Sequence, residues 1–318
     1  MKKYILFVFL APMLFFSCSK DHKTTPVTTV TGAKTYKVQF NLSGFSDQII
    51  ANAVKPRIQG LTTNSADSSS SDSLSVLYYL VYNYDGNTGY KYLHKIVLNS
   101  DSASFASISD NLPAGNYYLY FIAGKTGLLV DTTVNHRFYY NAPGDSLGDW
   151  HDTFFFSEPL NITGNTISKI QLSRFVSALK INIDDAIPAN AAKIITTIQS
   201  DYDYWDYIDG GFTNPYTKTL TTVITPAMVG TTNLQQYTIM GNNGLNNSSS
   251  PANVTISCYD SSNNLIGGAT INKVALKANQ ETILSGDIFN HSTNGTATHV
   301  SVNNTWGATT TVSFKLNK

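Results

Sequence analysis

Apolar and polar residues alternate with a period of two along much of this chain. From residue 36 to residue 42 every second side chain is apolar, which predicts a half-buried β-strand. The run 74–84 is apolar at nearly every position and predicts a central strand covered on both faces. Residues 85–89, Asp-Gly-Asn-Thr-Gly, predict a turn into a hairpin partner over 90–98.

The same signals predict further short strands, separated by turns rich in Asn, Gly and Ser. Before residue 173 they fall at 105–108, 117–123, 127–130, 136–140, 153–156 and 166–172. After it they fall at 175–183, 193–199, 202–208, 217–224, 235–240, 254–259, 264–273, 281–289, 299–302 and 310–316. No helical period follows residue 17, and strands of this spacing are typical of β-sandwiches. We therefore predict an all-β chain with two consecutive sandwiches, at residues 36–172 and 173–318.

The first residues have the pattern of a signal peptide. Lys2 and Lys3 precede an apolar run from Tyr4 to Phe16. A positive segment followed by an apolar one of this length is typical of secretion signals, and the run is shorter than the roughly 20 residues that span a bilayer. We therefore expect residues 1–17 to be removed from the mature protein.

The end of that segment resembles the lipobox of a bacterial lipoprotein. Small Ser17 directly precedes Cys18, so cleavage after Ser17 would leave Cys18 as an acylated first residue. Several acyl chains give stable membrane anchoring, and the Thr- and Lys-rich residues 18–35 then form a flexible tether. Ser19-Lys20-Asp21 resembles a surface-export signal of Bacteroidetes-type lipoproteins, which places the protein at the outside of the outer membrane. The alternative is an ordinary secretory signal with an incidental cysteine.

The charge balance excludes one class of function. The 318 residues contain 21 Lys+Arg and 21 Asp+Glu, and charged residues make up 13% of the chain, against about 25% in typical soluble proteins. Nucleic-acid binding depends on clustered cations that neutralise phosphates, so we expect no nucleic-acid partner. With 42% hydrophobic residues, the chain is not expected to be disordered throughout.

Besides Cys18, the chain contains one cysteine, Cys258. If Cys18 is acylated, no disulfide can form within the chain. Cys258 alternates with polar neighbours on a predicted strand, so it should face the core as an inert thiol. A reactive nucleophile is the alternative.

Sequences that resemble catalytic motifs occur without the surrounding secondary structure or residues that those motifs require. Residues 144–148 match G-x-S-x-G, but that motif requires a strand–turn–helix in an α/β sheet. Gly124-Lys125-Thr126 resembles the end of a phosphate loop and lacks its earlier glycine. No H-E-x-x-H sequence occurs, and the six histidines are scattered. We therefore expect no enzyme activity, no cofactor and no metal centre.

Residues 201–209 combine carboxylates with aromatic rings. The carboxylates are Asp201, Asp203, Asp206 and Asp209, ahead of Gly210-Gly211. They could hold Ca²⁺, although their spacing is not that of an EF-hand, and solvated carboxylates are the alternative. The rings are Tyr202, Tyr204, Trp205 and Tyr207. Exposed rings would form a stacking platform for sugars, whereas a strand would turn half of them into the core.

Several segments together resemble the fimbrillin-type and fimbrial anchor lipoproteins of Bacteroidales. They are Tyr36–Leu42, Leu74–Tyr84 with Asp85-Gly86, Leu112-Pro113-Ala114-Gly115-Asn116-Tyr117, and Leu172–Ile181 with Ile187-Pro188. The resemblance implies two transthyretin-like β-sandwich domains, a lipidated precursor and non-enzymatic assembly. Fimbrial subunits of this kind pair by β-strand addition, in which backbone hydrogen bonds give affinity and side chains fill pockets.

The resemblance also frames the choice between a shaft and an anchor subunit. Shaft subunits lose their first strand by cleavage after an arginine, and Arg57 is the candidate here. Pro56 before it and the serine-rich linker after it depart from the shaft pattern. We therefore expect an anchor or accessory subunit that keeps its lipid, with fimbrial subunits and the outer membrane as partners. A surface lipoprotein that binds a glycan or a host ligand is the alternative.

Overall fold

The computed structural model describes residues 34–44, 74–84, 89–133, 136–140, 148–241, 250–289, 298–303 and 311–314. Ten strands precede residue 175: β1 Thr35–Ser43, β2 Val76–Tyr84, β3 Tyr90–Asn99, β4 Ser107–Pro113, β5 Gly115–Gly124, β6 Leu128–Val130, β7 Arg137–Tyr140, β8 Phe154–Ile162, β9 Thr166–Gln171 and β10 Ser173–Arg174. Nine follow: β11 Ser177–Ile183, β12 Ala191–Asp206, β13 Gly211–Val223, β14 Leu234–Met240, β15 Ser250–Asp260, β16 Leu265–Leu276, β17 Glu281–Gly286, β18 Thr298–Asn303 and β19 Thr311–Phe314. A 3-10 turn at Pro226–Met228 precedes β14. In these segments no helix is long and apolar enough to cross a membrane.

The first sandwich packs a three-stranded sheet on a five-stranded one. The small sheet has the order β4-β1-β9, and the large sheet has the order β10-β8-β5-β2-β3. β1 runs antiparallel to β4 and parallel to β9. The core between the sheets includes Val38, Phe40, Tyr79, Leu119 and Phe121. All seven described residues from Val76 to Tyr82 are buried, because β2 is covered on both faces as its apolar sequence predicts.

The second sandwich has the same plan. One sheet has the order β14-β11-β17-β18-β19, and in the other β12 pairs with β13 on one side and with β15 on the other, followed by β16. β11 runs antiparallel to β14 and parallel to β17. The core is almost wholly aliphatic and includes Leu179, Ile181, Ile194, Val254 and Leu284.

The two sandwiches are copies of one seven-stranded topology. In the first copy the strands are β1, β2, β3, β4, β5, β8 and β9, and in the second they are β11 to β17. In each copy the first strand lies between the fourth and the seventh, and the other sheet has the order third, second, fifth, sixth. The predicted all-β fold with sandwich domains is confirmed. We keep the domain division near residue 172 as a proposal, supported by this duplication.

A hairpin of the first copy reaches into the second. β6 and β7 form a hairpin that is inserted in the chain between the fifth and sixth strands of the first copy. β7 pairs with the end of β12 through Trp205↔Phe138 and Asp206↔Arg137. Around this contact lies a buried aromatic cluster that contains Tyr120, Phe138, Trp150, Phe155, Phe175, Trp205, Tyr207 and Phe212. The strands from Thr35 onwards therefore belong to one compact unit.

Some element boundaries differ from those predicted. The strand expected at 105–108 is β4, which begins at Ser107 and continues to Pro113, so the single residue Ala114 separates it from β5. The two strands expected at 193–199 and 202–208 are one strand, β12, with a bulge between Gln199 and Asp201. β13 is long enough to pair along both parts, and a bulge absorbs the break in alternation without ending the strand.

Candidate functional site

Several predicted sites lie outside the described residues. The tether predicted over 18–35 ends earlier than expected, because Thr35 begins β1. The sites outside the described residues are the cleavage position Ser17, the lipidated Cys18, tether residues 19–33, Arg57 and residues 144–147. They remain predictions.

The described site with the most direct bearing on assembly is β1. Its side chains Val38 and Phe40 are fully buried, and Leu42 is nearly so. The Phe40 ring packs 5.4 Å from Tyr79 and 5.3 Å from Phe121, measured between ring centroids. β1 therefore fills a row of pockets formed by the first core.

The backbone of β1 is paired along both edges. It pairs with β4 from Thr35 to Asn41 and with β9 from Val38 to Ser43. Beyond the ladder, the Lys37 amide donates to Asn165 Oδ1 at 2.9 Å, and this contact is exposed. β1 thus completes its own sheet through generic backbone pairing and apolar burial.

The aromatic residues 202–207 do not form a four-ring platform. Trp205 and Tyr207 are buried at 1% and 3% exposure, because they face the buried aromatic cluster around the contact of β7 with β12. Tyr82 and Tyr207 share a hydrogen bond of 2.7 Å between their hydroxyls, and Tyr207 also donates to the Asp131 carbonyl. Tyr204 faces the other way and lies under the Arg137 guanidinium, whose carbon is 4.2 Å from the ring centroid.

The carboxylates of Asp201, Asp203 and Asp206 each accept hydrogen bonds from different groups, and Asp209 is exposed. Asp203 accepts from the Asn214 side chain. Asp206 Oδ1 accepts from the amides of Ile208 and Asp209 and so holds the turn after β12. Within the described segments, no group of three or more His, Cys, Asp or Glu side chains is placed to hold a metal. The four carboxylates are therefore not brought together as Ca²⁺ ligands, and the alternative of solvated carboxylates fits the exposed Asp209 but not the buried Asp201.

Asp201 is fully buried at the bulge of β12. Its Oδ1 accepts from the Tyr202 and Gly241 amides, and its Oδ2 accepts from the Tyr216 hydroxyl at 2.9 Å. Lys218 Nζ lies 3.8 Å from the same carboxylate. Burial raises the pKa of Asp201 to about 6, although Lys218 and the hydrogen bonds favour the charged form. This carboxylate ties β12, β13 and the end of β14 together.

Cys258 has the environment of a structural thiol. It is fully buried in the second core, and burial raises its pKa to about 11. A thiol with a raised pKa is a poor nucleophile, so the prediction of an inert core cysteine is confirmed. Gly124-Lys125-Thr126 follows β5 and leads to β6, so it lacks the helix that a phosphate loop requires.

The likeness to known proteins is one of structure. No family model matches this chain, and no curated protein matches its sequence. A candidate polysaccharide-binding protein (DUF1812) from Bacteroides thetaiotaomicron superposes with a TM-score of 0.51 at 11% identity, over 87% of this chain and 98% of that one. A candidate adhesin from the same species gives 0.49 at 12% identity, over 89% and 97%. The fimbrial anchor protein Mfa2 from Porphyromonas gingivalis gives 0.45 at 10% identity, over 79% and 90%.

These neighbours are described as a polysaccharide-binding protein, an adhesin and a fimbrial anchor protein, all from Bacteroidales, which is the group that the sequence resemblance pointed to. At such low identity, the match to the DUF1812 protein establishes a shared fold over most of both chains.

Proposed function

We propose that this protein is a lipid-anchored subunit of a cell-surface fimbria that acts in assembly and adhesion without catalysing a reaction. The observation that carries the proposal is β1, a nine-residue strand inserted between β4 and β9 with its apolar face in the first core. A strand held in this way marks a slot of the kind that β-strand addition uses.

The slot, meaning the groove between β4 and β9 that β1 fills, also distinguishes an anchor subunit from a shaft subunit. A shaft subunit must vacate it, since a partner strand has to enter, whereas an anchor keeps its own strand because the lipid lies on the same N-terminal segment. Val38, Phe40 and Leu42 already fill the pockets. We propose that this chain keeps β1 and acts as an anchor or accessory subunit, with Cys18 acylated in the outer membrane.

The glycan-binding alternative loses its first argument, because two of the four rings at 202–207 are buried. Adhesion to a glycan stays within the proposal only as an added property of the fimbrial subunit.

The membrane anchor is tested by a pair of cysteine variants in cells. Cys18→Ala should move the protein from the carbonate-washed membrane fraction to the soluble fraction and leave its unfolding midpoint unchanged, because the tether contributes nothing to the cores. Cys258→Ala is the matched control and should stay in the membrane fraction. Retention of Cys18→Ala in the washed membrane would contradict the lipid anchor.

A further inference from the structure

A polar cleft of about 330 Å³ lies where β7 meets the ends of β12 and β13. Its volume is within the range of about 300–1,000 Å³ seen for small-molecule sites. The residues that line it are His136, Arg137, Tyr204, Asp206, Ile208, Asp209 and Thr213. The hairpin of the first copy supplies one wall, and the second copy supplies the rest.

Arg137 presents unused hydrogen-bonding capacity to this cleft. Its guanidinium is stacked on Tyr204 at 4.2 Å, which holds the planar group in one orientation. Asp206 lies directly opposite Arg137 in the strand pairing. Even so, the buried Nε has no hydrogen-bond partner among the described residues. A buried donor without a partner is costly, but Nε has almost no accessible surface, so the donors that a ligand in the cleft meets are the terminal nitrogens of Arg137.

The other wall presents acceptors. The Asp206 carboxylate is fixed by the amides of Ile208 and Asp209, at 3.0 and 2.9 Å. Asp209 is exposed at the tip of the same turn. Ile208 adds an apolar patch, and Thr213 adds a hydroxyl across the ladder from Tyr204.

The backbone at the base of the cleft is strained and supported. His136 has φ +46°, in the left-handed region that residues other than glycine seldom adopt. Its carbonyl accepts from the Tyr207 amide at 2.9 Å, and its Nδ1 lies 3.3 Å from the Tyr82 hydroxyl. Strain of this kind persists where surrounding packing fixes it, and it concentrates at binding sites.

We propose that this cleft binds an uncharged sugar unit of a glycan, which gives the adhesive part of the proposed function a ligand class. Two carboxylates repel an anionic ligand, and Arg137 offsets part of their attraction for a cationic one. A neutral polyol has hydroxyls that both donate and accept, so it can pair with Arg137 and with Asp206 and Asp209 at once. Ile208 then contacts the C–H face of the sugar.

The test is binding of the full mature chain to an array of neutral, acidic and amino oligosaccharides, followed by calorimetry with the neutral oligosaccharide that binds best. Asp209→Asn and Arg137→Gln should each weaken its binding about tenfold or more, because each removes a charge-assisted hydrogen bond. Asp209 is exposed, so its variant keeps the test valid if Arg137→Gln fails to fold.

Two matched controls separate the cleft from general effects. Asp260 accepts the amides of Ser262 and Asn264 in another exposed turn. Lys193 lies 5.7 Å from the Tyr259 ring. Asp260→Asn and Lys193→Gln should therefore bind as the parent chain does.

Binding of acidic or of amino oligosaccharides alone, no binding of any oligosaccharide at millimolar concentration, or equal loss in the control variants would each overturn the sugar site. The Cys18→Ala fractionation is independent of this result. Failure of the sugar site with a normal membrane shift would leave the fimbrial proposal in place.

Discussion

β1 and β11 occupy the same place in the two copies of the fold. Each lies between the fourth and the seventh strand of its copy, antiparallel to one and parallel to the other. Each also buries an alternating row of apolar side chains, which are Val38, Phe40 and Leu42 in β1 and Leu179, Ile181 and Ile183 in β11. By topology and apolar burial alone, the two strands are equivalent.

They differ in what fixes their ends. Just before β11, the buried Arg174 pairs with Asp152 at 2.5 and 3.1 Å. Just after it, Asp185 Oδ2 accepts from the amides of Ile288 and Phe289 at 3.1 and 2.6 Å. At β1, the contacts of Lys37 and Ser43 join uncharged groups: the Lys37 amide donates to Asn165 Oδ1 in an exposed position, and the Ser43 hydroxyl donates to the Ile170 carbonyl at 3.3 Å.

The difference predicts which strand the fold can exchange. Backbone ladders and apolar pockets accept strands of suitable pattern, so we expect that another strand can substitute for β1. Buried polar contacts require particular side chains at particular places, so we expect β11 and its flanking residues to be harder to replace.

The largest effect should come from removing β1. Deleting Thr35–Ser43 empties the pockets of three buried side chains, and at roughly 1.5–3 kcal/mol each the free energy of unfolding should fall by about 5 kcal/mol or more. Urea denaturation measures the loss, and a synthetic Thr35–Ser43 peptide added in trans should restore much of it. A peptide with Phe40→Asp should not. Unchanged stability on deletion would show that β1 does not complete the sheet.

Breaking the Asp152–Arg174 ion pair should lower the free energy of unfolding nearly as much as deleting β1. Asp152→Ala removes the carboxylate that Nε and Nη2 of the buried Arg174 bind and leaves the neutral contact of Nη1 with Asn279, so stability should fall by about 3 kcal/mol. Replacing both partners, as Asp152→Leu with Arg174→Met, should recover most of that loss, because the buried guanidinium and carboxylate are then both removed. An equally unstable double variant would mean that the pair acts through packing alone, and β11 would then resemble β1 more closely.

Asp185 should contribute less to the free energy of unfolding than the Asp152–Arg174 pair does. Asp185→Ala leaves the buried amide of Ile288 and that of Phe289 without their acceptor, for a loss of about 1–3 kcal/mol by urea denaturation. Asp260→Ala is the control, because Asp260 caps an exposed turn, and it should stay within about 0.5 kcal/mol. Equal losses in the two variants would contradict the claim that Asp185 fixes the end of β11.

The smallest effect should be the contribution of Asp201 to the pH dependence of the free energy of unfolding, measured by urea denaturation at several pH values. Burial raises the pKa of Asp201 to about 6 in the folded chain, from an ordinary value of 3.8. The folded state therefore binds more protons, and this group adds about 1 kcal/mol of stability as the pH falls from about 7 to about 5. Asp201→Asn should remove that increment, and the exposed Asp209→Asn should not. Identical pH profiles for parent and Asp201→Asn would refute the assignment.

Local pattern was sufficient to place most strands and both cores. The unbroken apolar run at 74–84 predicted a strand buried on both faces, and the structure buries Val76 to Tyr82 without exception. The alternation around Cys258 predicted an inward thiol, and Cys258 is fully buried. Such patterns report burial directly, because side chains on a strand alternate between its two faces.

The local sequence pattern does not predict which strands pair with each other. Nothing in the sequence near β1 specifies β9 as its parallel neighbour, which lies more than a hundred residues away along the chain. The junction was missed for the same reason, since Phe138 and Trp205 meet through a hairpin inserted in the first copy. The sugar cleft combines Arg137 with residues 204–213, and only the rings and carboxylates of 201–209 hinted at it.

The most direct test of the central claim is the N-terminus of the mature protein extracted from assembled fimbriae, read by mass spectrometry. Our account predicts that the chain begins at an acylated Cys18 and retains β1 through Ser43. A start at Ile58, after cleavage at Arg57, would contradict it and make this chain a polymerising shaft subunit whose slot is filled by a neighbour's strand.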